Sequence, residues 1–169
     1  REDGVRTIFA LFEGYAEARE AVETLRERGL DVDEMNAIIS AEVARGGMDV
    51  NLRTAGVRAS EELGERTLHG LDRLLATEQP VPLPPVGDVL AAGELANFVV
   101  AAAGRSGAAE GGFTAALIDF GVPGDAAEAY QRGVADGGLL FWMRTEDERA
   151  GEVREVVQEQ GASRVGAYP

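Results

Sequence analysis

The sequence predicts an α+β protein, and three observations predict it. Each end of the chain carries a strand–helix–strand pattern with a glycine closing the helix. The two patterns superpose on a shift of 132 residues, which places Gly29 on Gly161, Leu25 on Val157, Ala21 on Val153 and Ala18 on Ala150. The residues between them show helical periodicity. Two such βαβ units joined in one sheet form a split βαβ plan. The expected sheet is therefore four-stranded, antiparallel and ferredoxin-like, in the order 4-1-3-2, with both repeat helices on one face. We expect a first βαβ unit over 1–45, a helical insertion over 46–137 between strands 2 and 3, and a second βαβ unit over 138–169, in one domain of 169 residues.

Residues 5–12 (Val-Arg-Thr-Ile-Phe-Ala-Leu-Phe) are short and rich in β-formers, and predict a strand. A helix follows over 15–28. Ala18, Ala21, Val22 and Leu25 recur at helical spacing, and Glu17, Glu20, Glu23, Arg26 and Glu27 fill the wet face. Gly29 stands where a helix end favours positive φ. Ile38 and Ile39 centre a second strand at about 35–43. Near the other end, Leu139–Met143 predict a third strand. Thr145 or Asp147 is placed to cap a helix over about 147–160 whose apolar positions are Ala150, Val153, Val156 and Val157. Gly161 ends that helix, and Arg164–Tyr168 predict the last strand.

About ninety residues separate strands 2 and 3, too many for a structureless loop. Ser60, with Glu61 and Glu62 behind it, predicts the start of an amphipathic helix reaching Leu75. Gln79–Pro85 carries three prolines before its end and predicts an extended connector. Val86–Gly104 predicts a buried helix, apolar almost all round except at Asp88, Glu94 and Asn97. Phe113, Ala116, Leu117 and Phe120 mark a third helix, which Gly121 breaks. Pro123 suits the first turn of a fourth, with Ala126, Ala127, Tyr130 and Val134 facing inward.

The chain holds 30 acids against 16 arginines, no lysine and no cysteine, for a net charge of -14. The charge is spread along the whole length, so no cationic footprint for nucleic acid is visible. An anionic membrane surface is disfavoured for the same reason. Zero cysteine removes disulfides, a thiol nucleophile and thiolate metal sites, and fits a cytoplasmic protein. The longest mainly apolar run without a charge, Leu95–Gly104, falls short of the roughly 20 residues a membrane span needs. The chain does not begin with Met, which suggests a trimmed protein, and it shows no signal-peptide pattern.

Pro85-Val-Gly-Asp-Val-Leu-Ala-Ala-Gly93 resembles the proline–glycine helix start of the YflT-like, heat-induced general stress proteins of bacteria. Gly121-Val-Pro123, then Ala127, Tyr130, Gly133 and Gly137-Gly138-Leu-Leu, is similar to the segment preceding their third strand. The glycine-ended units at both termini fit the same pattern, so the resemblance covers most of the chain. It departs at residues 46–78, where a charged amphipathic helix replaces a stretch richer in Gly and Ala. The resemblance implies stress induction and a cytosolic setting, and it carries no catalytic residues.

Candidate sites are few. His69, the only imidazole, lies on the polar arc between Glu65 and Arg73 and reads as a solvated helix residue. Asp31, Asp33 and Glu34 form an acidic turn without calcium-loop spacing. Glu146-Asp147-Glu148 complements a helix N-terminus. No phosphate-cradling glycine motif and no nucleophile elbow is present. No cofactor or metal is implied. Glu94 and Asn97 share a helix face; they either line a polar pocket or mark an edge that meets solvent or a partner. Phe141 and Trp142 point to opposite faces of the third strand, so its second face needs a cover, supplied by the insertion or by a second subunit. A covered sheet can also hold a small apolar ligand. The candidate ligand-binding set is Glu94, Asn97, Phe98, Tyr130 and Trp142, with Ile8, Phe12 and Val99 as further contact residues. The expected function is a non-enzymatic stress protein acting by binding or as a homo-oligomer. The alternative is an enzyme or apolar-ligand binder using a pocket between sheet and insertion, with Glu94, Asn97 and Tyr130 as its polar groups.

Overall fold

The computed structural model describes residues 5–31, 34–46, 80–83, 86–106 and 112–168. Among them run β1 (Val5–Phe12), α1 (Tyr15–Glu27), β2 (Met35–Ser40), β3 (Val81–Leu83), β4 (Gly87–Ala92), α2 (Glu94–Ser106), α3 (Gly112–Phe120), α4 (Gly124–Ala135), β5 (Leu139–Glu146), α5 (Asp147–Glu159) and β6 (Arg164–Tyr168). Residues 41–46 continue from β2 as helix. The helix expected over 60–75, with His69, lies outside the described residues.

All strand pairings are antiparallel, and they form one sheet of six strands in the order β3-β4-β2-β5-β1-β6. The α+β class holds, but the sheet is not the four-stranded one that the sequence predicts. The two added strands are a hairpin from inside the insertion. Of the segment expected as an extended connector, Val81–Leu83 are extended, but they pair: Val81 lies opposite Val89 and Leu83 opposite Gly87. Pro82 cannot donate to a ladder, and it sits on the outermost strand, where that costs least.

The apolar run from Val86 is likewise not one helix. Val89 and Ala91 pack to one side of the sheet and Leu90 and Ala92 to the other. A strand buried on both faces is apolar at every position, so its pattern is the same as that of a buried helix. Gly93 separates the two elements. Its φ is +101°, and a Cβ there would lie 2.5 Å from the Met35 carbonyl oxygen and collide with the Asn36 Oδ1.

Helices cover both faces. On one, α1 and α5 bury Ala18, Ala21, Val22 and Leu25 with Ala150, Val153, Val156 and Val157 against Ile8, Phe12, Phe141 and Met143. These are the repeat helices on their shared face, and Gly29 and Gly161 end them at φ +87° and +95°. The cap expected from Thr145 or Asp147 does not form. Glu146 is the N-cap without a side-chain cap bond, and Asp147 instead pairs with Arg6. On the other face, α2, α3 and α4 bury Val99, Phe113, Leu117, Ala127, Tyr130 and Val134 against Phe9, Leu11, Ile38, Leu140 and Trp142. Within the described chain, then, the insertion supplies the cover that Trp142 requires. Fully burying one large apolar side chain contributes about 1.5–3 kcal/mol, and Leu25 and Phe141 in one layer and Phe113 and Leu117 in the other are such residues.

Candidate functional site

Strand register brings the aromatic residues together. Phe9 of β1 lies opposite Trp142 of β5 and opposite Gly166 of β6. Its ring stacks on Trp142 at 5.1 Å and 15°, and on Tyr130 of α4 at 5.5 Å and 11°. Phe120, at the end of α3, meets both Phe9 and Trp142 edge-on, and Tyr168 meets Phe9 at 5.6 Å. Such offset and edge-on pairs each contribute about 0.5–1.5 kcal/mol beyond area burial. This cluster is the centre of the insertion-side core.

Two polar groups are enclosed in it. The Tyr130 hydroxyl lies 3.3 Å from that of Tyr168. Burial pushes the Tyr130 phenol far above its ordinary range, the Tyr168 hydrogen bond adds to this, and Arg164 draws it partly back. The Trp142 indole Nε1–H is fully buried and has no acceptor among the described residues. Leaving such a donor unpaired costs about 1–3 kcal/mol.

Of the expected set, Tyr130 and Trp142 thus share the cluster, while Glu94, Asn97 and Phe98 face outward on α2. Asn97 is a structural residue: its Nδ2 donates to the Gly93 carbonyl at 2.9 Å and tightens the turn between β4 and α2. Glu94 lies in the first turn of α2, where a carboxylate complements the helix dipole. Val99 is buried in the same core as Trp142, whereas Ile8 and Phe12 are on the opposite face of the sheet. The polar groups of a pocket between sheet and insertion are therefore not assembled, because Tyr130 is sealed in the core and the other two are at the surface.

Asn36, a residue with no signal in the sequence pattern, organises this layer. It is buried in β2, and its Oδ1 accepts from the backbone N–H groups of both Leu95 and Ala96 at 3.0 Å. It therefore caps α2 from a distance of 59 positions along the chain. A polar residue in an alternating strand pattern reads as solvent-facing, and only tertiary proximity reveals the cap.

Two clefts open elsewhere. One, of about 450 Å³, is lined in part by Leu30, Asp31, Glu34, Arg144, Glu146 and Arg149. Two residues of the acidic turn are therefore on its wall; Asp33 lies outside the described residues. Arg149 beside it is committed to Glu152 at 2.8 Å and to the Arg28 carbonyl at 2.9 Å. The Glu152 carboxyl is held below its usual range, first by the Arg149 hydrogen bond, with Arg28 adding to it. The second cleft, of about 320 Å³, lies between Leu11, Glu13, Gly133, Asp136 and Ser163. Among the described residues, no group of three or more His, Cys, Asp or Glu is placed to hold a metal ion. No helix among them is long and apolar enough to cross a membrane.

Comparison with protein-family models, with curated proteins and with solved structures gave no match.

Proposed function

We propose that this chain is a bacterial general stress protein of the heat-induced kind, cytoplasmic, acting by association rather than by catalysis, with the outside of its helical cover as the contact surface. The observation that carries this reading is the pair of large apolar side chains left outside the cover. Phe98 on α2 is 59% exposed and Ile118 on α3 is 46% exposed. Among the described residues those two helices pack on one another more extensively than any other helix pair. Burying a side chain of this size against a partner contributes about 1.5–3 kcal/mol. The glycine and proline pattern shared with the stress proteins supports the family assignment. Residues 86–93 of its first segment hold strand β4 rather than the helix start that the resemblance implies, while its Gly121–Pro123 segment lies between α3 and α4. The run β6-β1-β5-β2 supports reading the chain ends as a ferredoxin-like unit widened by that hairpin.

The test compares the wild type with the double variant Phe98→Glu, Ile118→Glu. A thermal-shift screen of hydrophobic small molecules is run alongside light scattering. The expected result is that the variant loses whatever the wild type takes, ligand or further copies, while its own Tm moves by less than about 4 °C. A wild type that takes no ligand and has the same mass as the variant overturns the reading.

A further inference from the structure

We infer that two copies of this chain pair through β6, edge to edge and antiparallel about Gly166. The two edges of the sheet are built differently. β3 is three residues long and carries Pro82, which blocks further pairing. β6 is five residues long, Arg-Val-Gly-Ala-Tyr, with no proline or acid inside it, and among the described residues it pairs only with β1.

Three features favour a second copy as the occupant. The first is charge. From Gln160 to Pro169 the chain holds one arginine and no acid. A second copy of a chain of charge -14 can therefore approach this strand without meeting a carboxylate on it.

The second is self-complementarity. Antiparallel pairing centred on Gly166 sets each Arg164 opposite the partner copy's Tyr168 and each Val165 opposite the partner copy's Ala167. Directly opposed residues share a face. The guanidinium of one copy would then lie beside the phenol ring of the other, a favourable cation–π arrangement, and the two glycines would meet at the two-fold axis. That axis is perpendicular to the sheet, so the α1/α5 layer of one copy continues into that of the other.

The third is order. Tyr168 is already held by the Phe9 ring at 5.6 Å and by the Tyr130 hydroxyl at 3.3 Å. A Cβ on residue 166 would lie 3.0 Å from the Tyr130 hydroxyl and collide with that of Tyr168, so glycine alone lets the rings close over the strand. A strand fixed in advance loses little freedom on pairing. Each copy offers one open edge and one guarded edge, so the assembly closes as a two-fold dimer and does not grow into a fibre.

This interface is separate from the outer face of the helical cover, and the variants that test each are different. Sedimentation velocity is measured on the wild type and on Arg164→Glu. Amide hydrogen exchange of residues 164–168 is followed at high and low protein concentration. The wild type is expected to sediment as a dimer at about 100 µM and to dissociate on dilution. Arg164 is exposed but its guanidinium also reaches the Tyr130 hydroxyl of its own chain, so the Tm of each variant is taken on dilute protein as the monomer reference, and Arg164→Glu should weaken the dimer roughly tenfold or more beyond any change in that reference. Amides of β6 should exchange faster as the protein is diluted. Added salt should tighten the wild-type dimer by screening its net charge. The inference is overturned by a monomer at about 100 µM, or by a dimer indifferent to Arg164→Glu. It is also overturned by β6 protection that does not depend on concentration, the mark of a strand covered from within its own chain.

Discussion

Replacing Asn36 with alanine tests how β2 and α2 are joined. The Asn36 Oδ1 is the acceptor for two N–H groups at the start of α2, each at 3.0 Å, and the Ala96 bond is buried. Alanine removes the acceptor and leaves both donors where water reaches poorly. Loss of an N-cap costs about 0.5–2 kcal/mol, and a stranded buried donor costs about 1–3 kcal/mol. The two overlap, so a loss of about 2–4 kcal/mol is expected for Asn36→Ala. In a chain of this size that corresponds to a fall in Tm of about 5–15 °C. Asn97→Ala is the control on the same helix. Its Nδ2 donates to the exposed Gly93 carbonyl at 2.9 Å and, at 3.4 Å, to the Ala91 carbonyl, and with no buried donor stranded its removal should cost about 1 kcal/mol. Urea unfolding measures both, followed by far-UV circular dichroism and by the fluorescence of Trp142, the only tryptophan. The transitions should coincide, with an unchanged m value. An Asn36→Ala loss below about 0.5 kcal/mol, or one no larger than that of Asn97→Ala, refutes the long-range cap.

Two further outcomes follow from the aromatic cluster. Trp142→Phe removes ring area but also the unpartnered indole N–H, so stability should change by no more than about 1 kcal/mol, whereas Trp142→Ala should cost about 3–5 kcal/mol. Urea unfolding by circular dichroism separates them, and a Trp142→Phe loss above about 2 kcal/mol would mean that the N–H has an acceptor after all. Tyr130 has its phenol pushed upward by burial. The unfolded chain therefore releases this proton first, at a pH of about 10, while the folded chain keeps it. The stabilisation is complete below that pH and is lost above it, by about 1.4 kcal/mol per pH unit. The Tyr130 contribution should be constant up to about pH 10 and fall with about this slope from there to about pH 11.5 in the wild type, and less steeply in Tyr130→Phe; equal slopes would show that Tyr130 ionises normally in the folded protein.

The ends of the chain were legible because local rules govern them. The positions Ala18, Ala21, Val22 and Leu25, and their counterparts Ala150, Val153, Val156 and Val157, fall on one face by helical periodicity alone, and all are buried. The same holds for Phe113, Ala116 and Leu117 on α3 and for Ala126, Ala127, Tyr130 and Val134 on α4. The assignment of opposite faces to Phe141 and Trp142 needed only the two-residue repeat of a strand. The middle was less legible. Val89–Ala92 is apolar throughout because both of its faces are covered, and burial on all sides erases the period that distinguishes strand from helix. Phe9 was hidden between Ile8 and Ala10 for a similar reason, and its role as the ring between Trp142 and Tyr130 depends on β1 lying between β5 and β6.

Local spacing along the chain was enough for the class, the two glycine-ended βαβ units and the inward faces of four helices, since each follows from backbone geometry within a few residues. Tertiary structure decided the rest: that the sheet has six strands, that Asn36 caps a helix far along the chain, that Glu94 and Asn97 face water, and that Phe9, Tyr130, Trp142 and Tyr168 meet. These depend on which surfaces end up adjacent. Adjacency between distant segments is set by the summed burial of many side chains, a quantity that no local pattern encodes.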